Sequence, residues 1–193
     1  MHIKGNLLRA AQKVVDTSSP ESSFQRIWLT PDNQVQSCNG SAAFSAGLSG
    51  PDADDFFINE PIGMRFYQTI PTCDFIQIDL IDENRGFALC YSLKENSKET
   101  LLAFSIDESV DAFSVNSIFP ISPIHAVSKI SLTAANMGLI EKVYGADKGV
   151  TIEYRDMSSI IVIKPNHHSD DKTDQWPGGA SLLIIPMVDN SGE

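Results

Sequence analysis

The sequence predicts an α+β fold in which one unit, a strand, a helix and three further strands, occurs near each end of the chain. Three observations support this prediction. An amphipathic helical pattern covers residues 7–16, and strand-like patterns follow it as far as residue 48. The same order returns between residues 113 and 188, while residues 64–106 show strand patterns and no helix. Strands dominate and helices lie near the two ends, as in α+β proteins.

The first unit has the clearest pattern. Residues 1–5 are predicted to form a short strand, and Asn6 is a candidate cap for the helix over residues 7–16. The apolar side chains of this helix fall on one side and its polar side chains on the other. Strands are expected at residues 24–30, 34–38 and 41–48, with a turn at residues 31–33 and a hairpin at Asn39-Gly40.

The elements of the middle region and of the second unit are predicted from the same kinds of local pattern. Residues 49–61 are rich in Gly, Pro and Asp and are predicted to form a loop, and strands are expected at residues 75–81, 87–93 and 101–106. The helical region over residues 122–144 is predicted to be two short helices with a break near residues 131–133, because its apolar face rotates there. The second helix should end at Gly145. Residues 150–155 alternate like a half-buried strand, whereas residues 160–163 and 182–185 are apolar runs expected where both faces are covered.

Composition limits the classes of function. The chain of 193 residues is 42% hydrophobic and 20% charged, as in ordinary globular proteins, and no apolar run reaches the roughly 18 residues of a spanning helix. Its beginning lacks the pattern of a secretory signal, and its three cysteines are expected to be buried free thiols, so we expect a cytoplasmic protein. A net charge of −11 argues against a protein that coats nucleic acid with its whole surface, although not against a local basic face.

Several stretches resemble the DNA sliding clamp, the beta subunit of bacterial DNA polymerase III. Met1-His2-Ile3-Lys4 followed by Leu7-Leu8 is similar to the clamp's opening strand and first helix, and Ser117-Ile118-Phe119-Pro120-Ile121 to the strand before its second helix. Asp156-Met157-Ser158-Ser159 and Leu182-Leu183-Ile184-Ile185-Pro186-Met187 resemble its closing hairpin and carboxy-terminal strand. The resemblance covers residues 1–49 and 113–188. It implies a DNA-clamp-like fold with helices on one face of antiparallel sheets.

The chain departs from the clamp family in its domain organisation, because bacterial clamps carry three domains per chain. Residues 1–193 are interpreted as one clamp-like domain, with a first half at 1–49, a strand-rich insert at 50–112 and a second half at 113–188. The alternative is two abbreviated clamp domains divided near residues 100–112. A clamp as short as this would fit a phage or mobile-element genome.

The function that the resemblance implies is non-catalytic and needs no cofactor or metal. A clamp forms a homo-oligomeric ring around double-stranded DNA and tethers a DNA polymerase, with a clamp loader as a further candidate partner. The helix side chains that would face DNA are Arg9, Lys13, His125, Lys129 and Lys142. The carboxy-terminal residues matching the polymerase-binding groove are Pro186, Met187 and Val188.

Other interpretations stay open. Taken alone, Arg9 and Lys13 are more simply an ordinary solvated helix face. The second hypothesis is a non-catalytic phage accessory or structural assembly protein. The third is a hydrolase with a metal at His167 and His168, but consecutive residues point in different directions, so no metal site is predicted there.

Overall fold

A computed structural model of the chain describes residues 1–48, 58–94, 98–107, 110, 132–145, 149–153, 160–166 and 180–185. These residues form a single antiparallel sheet of eleven strands and two α-helices. The first elements are β1 (His2–Lys4), α1 (Gly5–Val14), a 3₁₀ turn (Ser22–Gln25), β2 (Ile27–Thr30), β3 (Gln34–Cys38) and β4 (Ala42–Gly47). The middle strands are β5 (Ile62–Phe66), β6 (Phe75–Asp82), β7 (Arg85–Tyr91) and β8 (Thr100–Ile106). The last elements are α2 (Ala134–Tyr144), β9 (Val150–Glu153), β10 (Ile161–Pro165) and β11 (Ser181–Ile184).

Two three-stranded meanders lie side by side in the centre and at one end of the sheet. The strand order is β1-β6-β7-β8-β5-β2-β3-β4-β11-β10-β9. The first meander is β2 to β4 and the second is β9 to β11, so the last strand of the first, β4, pairs with the last strand of the second, β11. Leu182 of β11 lies opposite Phe44 of β4 in this antiparallel pair. Each meander follows a helix in the chain, and the two helices contact one another. The predicted α+β fold with repeated helix and three-strand units is therefore confirmed.

Strands β5 to β8 lie between β1 and β2 in the sheet, although β1 and β2 are close in the sequence. Strand β1 pairs with β6, which places Ile3 opposite Ile76. The strands predicted within the middle region are confirmed. The division of the chain into one domain with an insert or two abbreviated domains stays a prediction.

The main core lies between the helices and one face of the sheet, which we call the inner face. Leu8 of α1 and Phe44 of β4 are fully buried in it, together with Leu182 and Ile184 of β11. Successive strand residues point to opposite faces, so Ala43 and Leu183 project to the other side, the outer face. Both faces of β10 and β11 are buried, as their apolar runs predict.

Helix α1 begins at Gly5, so the prediction that Asn6 caps it was wrong. Lys4 occupies the N-cap position and makes no side-chain capping bond. Instead, the Gly5 N–H donates to the Asp74 carbonyl at 2.9 Å. A contact with a segment about 70 residues away thus satisfies a helix-end donor that local sequence rules assign to a capping side chain. A strand predicted from residue 24 is likewise shorter, because the 3₁₀ turn occupies residues 22–25.

The local turn predictions are confirmed where the structure describes them. Gly40 has a φ of 85°, and the Asn39 side chain accepts bonds from the Ser41 and Ala42 N–H groups. Helix α2 ends at Gly145, whose φ is 94° and whose N–H donates to the Glu141 carbonyl at 2.8 Å. The helix predicted before the break at residues 131–133, and the strand expected at residues 117–121, lie outside the described residues. No helix in the described ranges has the length and apolarity needed to cross a membrane.

Candidate functional site

The polar face of helix α1 carries Arg9 and Lys13, opposite the side that packs on the sheet. Leu7, Leu8 and Ala11 are buried against the core, whereas Arg9 is half-buried and Lys13 is exposed. The amphipathic pattern in the sequence therefore predicts correctly which side of the helix is buried. Contact of Arg9 and Lys13 with DNA stays a prediction.

The loop between β5 and β6, residues 67–74, lies along this polar face and covers part of it. The Gln12 side chain donates to the Gln68 carbonyl and accepts from the Ile70 N–H, both at 2.8 Å. Arg9 Nη1 donates to Thr72 Oγ1 at 2.6 Å. Ile70 is buried in the main core and anchors the loop. Arg9 is therefore held by the protein itself, and Lys13 is the more accessible of the two cations.

Sequence reasoning missed this loop because its partners on α1 lie 56 to 63 positions earlier in the chain. No local pattern connects Gln12 with residues 68 and 70. The one available signal is Gln12 itself, an uncharged side chain beside Arg9 and Lys13 on the polar face of the helix. An amide that both donates and accepts suits a backbone segment better than it suits solvent alone.

Helix α2 presents Lys142 in its last turn. Its buried side consists of Asn136, Leu139, Val143 and Tyr144, and Lys142 is exposed. The Tyr144 hydroxyl donates to the Ile163 carbonyl at 2.9 Å, which ties the helix to β10. Burial raises the pKa of Tyr144, so this hydroxyl stays protonated and remains a donor. His125 and Lys129, the other two predicted DNA-facing residues, lie outside the described residues.

The outer face of the sheet carries an apolar groove of about 180 Å³, which we call the outer groove. Cys38, Ala43 and Leu183 are buried here in a cluster separate from the main core. Ile185 is 48% exposed at the end of β11. The full lining is Phe24, Cys38, Gly40, Ala42, Ala43, Ile160, Leu183 and Ile185.

The groove offers apolar contact and no ionised group. Burial raises the pKa of the Cys38 thiol, so it stays neutral, and its sulfur accepts a bond from the Gly40 N–H at 3.3 Å. The predicted partner-binding residues Pro186, Met187 and Val188 follow Ile185 directly in the chain and lie outside the described residues. The resemblance to sliding clamps implied an apolar partner groove beside the carboxy-terminal strand, but it did not identify these lining residues, because they come from strands and turns that only the sheet brings together.

Metal chemistry has no supporting geometry in the part of the chain that the structure describes. No group of three or more His, Cys, Asp or Glu side chains there could hold a metal ion. The sequence motif considered for a metal, His167 and His168 with the acidic residues after them, lies outside the described residues.

Solved structures with a similar fold are bacterial DNA polymerase III beta subunits. The beta subunit from Borrelia burgdorferi matches 97% of this chain with a TM-score of 0.53 at 9% identity. A protein from Eubacterium rectale described as a putative beta subunit matches 100% of the chain with a TM-score of 0.48, also at 9% identity. This chain spans 62% and 65%, respectively, of the length of those two proteins.

Comparisons that use the sequence without the structure give no match. No protein-family model and no curated protein sequence matches the chain. Because the sequence identity to the Borrelia burgdorferi structure is 9%, this similarity is evidence for the fold alone. The fold of this chain is therefore similar to that of the bacterial sliding clamp, as the sequence resemblance predicts.

Proposed function

We propose that this chain is a non-catalytic sliding-clamp-like processivity factor that surrounds duplex DNA and tethers a replicative DNA polymerase. The observation that supports this most directly is the pairing of two helices on the inner face of one continuous antiparallel sheet. This arrangement accompanies the fold similarity to the beta subunit from Borrelia burgdorferi. A tether of this kind converts repeated rebinding of the polymerase into an intramolecular event.

Lys13 and Lys142 are the proposed DNA-facing cations of the described helices. Both are exposed and lie in the last turn of their helix. A lysine that neutralises a phosphate releases counterions, which favours binding without reading the base sequence. The net charge of −11 then disfavours DNA contact elsewhere on the surface. Together these features suit a protein that slides instead of holding one site.

Ring closure is proposed because two helices per chain are too few to surround a duplex. In the described part of the sheet, β1 and β9 are the two edge strands and lie at opposite ends of the strand order. Such edges are templates for pairing with another chain. Identical copies joined edge to edge would make head-to-tail contacts, which close into a ring when the rotation per copy allows it.

The outer groove is the proposed docking site for a polymerase peptide. It is apolar and lies on the face opposite the helices, so a bound polymerase would not obstruct the DNA. Pro186, Met187 and Val188 continue from its edge at Ile185 and are proposed to contribute to it. A short peptide with apolar anchors is the kind of ligand that fits such a groove.

Retention on circular DNA tests the proposal. The purified protein, with a clamp loader from the same source if closure needs one, is incubated with nicked circular plasmid and then filtered by size. A sliding ring should stay on the circle, and linearising the plasmid should release it. Retention that survives linearisation would mean ordinary binding and would contradict the proposal. A ring that is never retained on circular DNA would favour a structural assembly protein.

A matched pair of lysine substitutions tests the DNA-facing assignment. Lys13→Ala should reduce the salt-sensitive part of DNA retention, since each phosphate contact changes the slope of log affinity against log salt by about −0.9. Lys164→Ala, on the outer face of β10 beside Glu153, removes the same charge from the opposite side of the sheet. It should leave retention unchanged. Equal effects of the two substitutions would contradict the assignment.

A further inference from the structure

A second cleft lies at one end of the sheet, away from the outer groove. It has a volume of about 350 Å³, within the range of about 300–1,000 Å³ typical of ligand sites. The tip of the β6–β7 hairpin, the end of β8 and the start of β5 form its walls. We call it the hairpin cleft, and its lining residues are Trp28, Glu60, Pro61, Ile62, Gly63, Leu80, Asp82, Glu83, Ile106, Asp107 and Val110.

The walls of the hairpin cleft are fixed by backbone contacts. The Ile106 N–H donates to the Asn84 carbonyl at 2.7 Å, which joins the hairpin tip to the end of β8. The Trp28 ring lies against Gly63, where an added Cβ atom would come within 2.7 Å of it. A break in the β6–β7 register between Leu80 and Asp82 leaves Leu80 52% exposed at the rim. Such irregularities commonly redirect a side chain.

The rim of the hairpin cleft is acidic. Asp82 accepts from Arg85 Nε at 2.7 Å, and Asp107 pairs with Arg26 at 3.3 Å. Arg26 is only 5% exposed, so its charge acts from beneath the cleft and not at its mouth. Within the described residues, no ion pair neutralises Glu60 or Glu83. The opening therefore combines two uncompensated carboxylates with an exposed leucine.

We propose that the hairpin cleft binds a basic segment of a partner protein that carries a large apolar side chain among its Lys or Arg residues. The apolar side chain would contact Leu80 and the Trp28 wall, while the basic residues would pair with Glu60 and Glu83. Nucleic acid is disfavoured, because its phosphates would meet carboxylates of the same sign. The cleft uses none of the residues that line the outer groove, so one chain could hold two partners at once.

Titration of the ¹⁵N-labelled full chain with the peptide acetyl-Lys-Lys-Leu-Phe-Lys-Lys-amide tests the proposal by NMR. The backbone amides of Gly63 and Leu80, two residues that line the cleft, report from its walls. Both signals should shift on titration. Paired Glu60→Gln and Glu83→Gln substitutions should weaken binding by about fivefold, as expected for losing two exposed charge pairs. Leu80→Ser should weaken it as well.

Matched controls separate this site from general charge attraction. Paired Glu21→Gln and Glu99→Gln substitutions remove the same charge from exposed positions outside the cleft and should leave the affinity unchanged. A peptide with Glu in place of Lys should cause no shift. The proposal is overturned if both glutamine pairs behave alike, or if the shifts appear at the outer groove. Cleft signals that move with protein concentration alone would also overturn it, since they would show a second copy of the chain in the cleft.

Discussion

Replacing Gln12 with alanine should release the β5–β6 loop from helix α1, because one amide makes both of its polar contacts with the loop backbone. The Gln12 side chain donates to the Gln68 carbonyl and accepts from the Ile70 N–H, each at 2.8 Å. A typical intramolecular hydrogen bond contributes about 0.5–1.5 kcal/mol net. Loss of both should therefore lower the free energy of unfolding by about 1–3 kcal/mol.

Gln12→Glu separates the two contacts. A carboxylate still accepts from the Ile70 N–H, but it cannot donate to the Gln68 carbonyl. The loss should then be at least about 1 kcal/mol, the value for one bond, because a carboxylate oxygen would also face the Gln68 carbonyl oxygen. Lys13→Ala is the control on the same helix face, since substitutions of exposed residues usually stay within about 0.5 kcal/mol. Both Gln12 variants should therefore be less stable than Lys13→Ala.

Urea unfolding measures the global effect, and amide hydrogen exchange at Ile70 measures the local one. In the Gln12→Ala variant, exchange at Ile70 should become faster because its N–H loses its acceptor. Exchange in the strands of the central meander should change only as much as global stability does. If Gln12→Ala unfolds like Lys13→Ala and Ile70 exchanges at the wild-type rate, the loop is not held by Gln12.

Three further predictions concern the glycine wall, the outer groove and a buried thiol. Gly63→Ala should lower the free energy of unfolding by about 1–3 kcal/mol, because its Cβ would lie 2.7 Å from the Trp28 ring. Gly138→Ala in α2 is the control, because its Cβ meets no atom within 4 Å and the change should be neutral or stabilising. Urea unfolding measures both variants. Ile185→Asp should weaken binding of a polymerase-derived peptide by about tenfold in fluorescence anisotropy, and unchanged affinity would contradict the groove assignment. Burial is the main reason that the pKa of Cys90 rises from 9.0 to about 12, and the neighbouring Cys73 thiol contributes to the same rise. The folded state therefore retains a proton that the unfolded state loses, so wild-type stability should fall more steeply than that of Cys90→Ala as pH rises from about 9 towards 12.

The elements of this fold were predictable from sequence because their signals are local. The alternation of apolar and polar residues, the Asn39-Gly40 hairpin and the Gly145 helix end each depend on only a few neighbouring residues. The burial of both faces of β10 and β11 was predictable for the same reason, since two continuous apolar runs need cover on both sides. Together with their order, these patterns predicted the α+β class, and the resemblance to sliding clamps implied the clamp-like plan.

Only the tertiary structure decided how distant segments meet. Helix α1 begins at Gly5 because its first N–H bonds to Asp74, and its polar face is partly covered because Gln12 holds a loop from residues 67–74. The hairpin cleft likewise combines residues of β2, β5, β6 and β8, which lie between positions 28 and 107 of the chain and meet only in the folded sheet. Periodicity shows which side of an element is buried, but it does not identify the partner. Partner choice depends on contacts across many residues, and those contacts exist only once the sheet has formed.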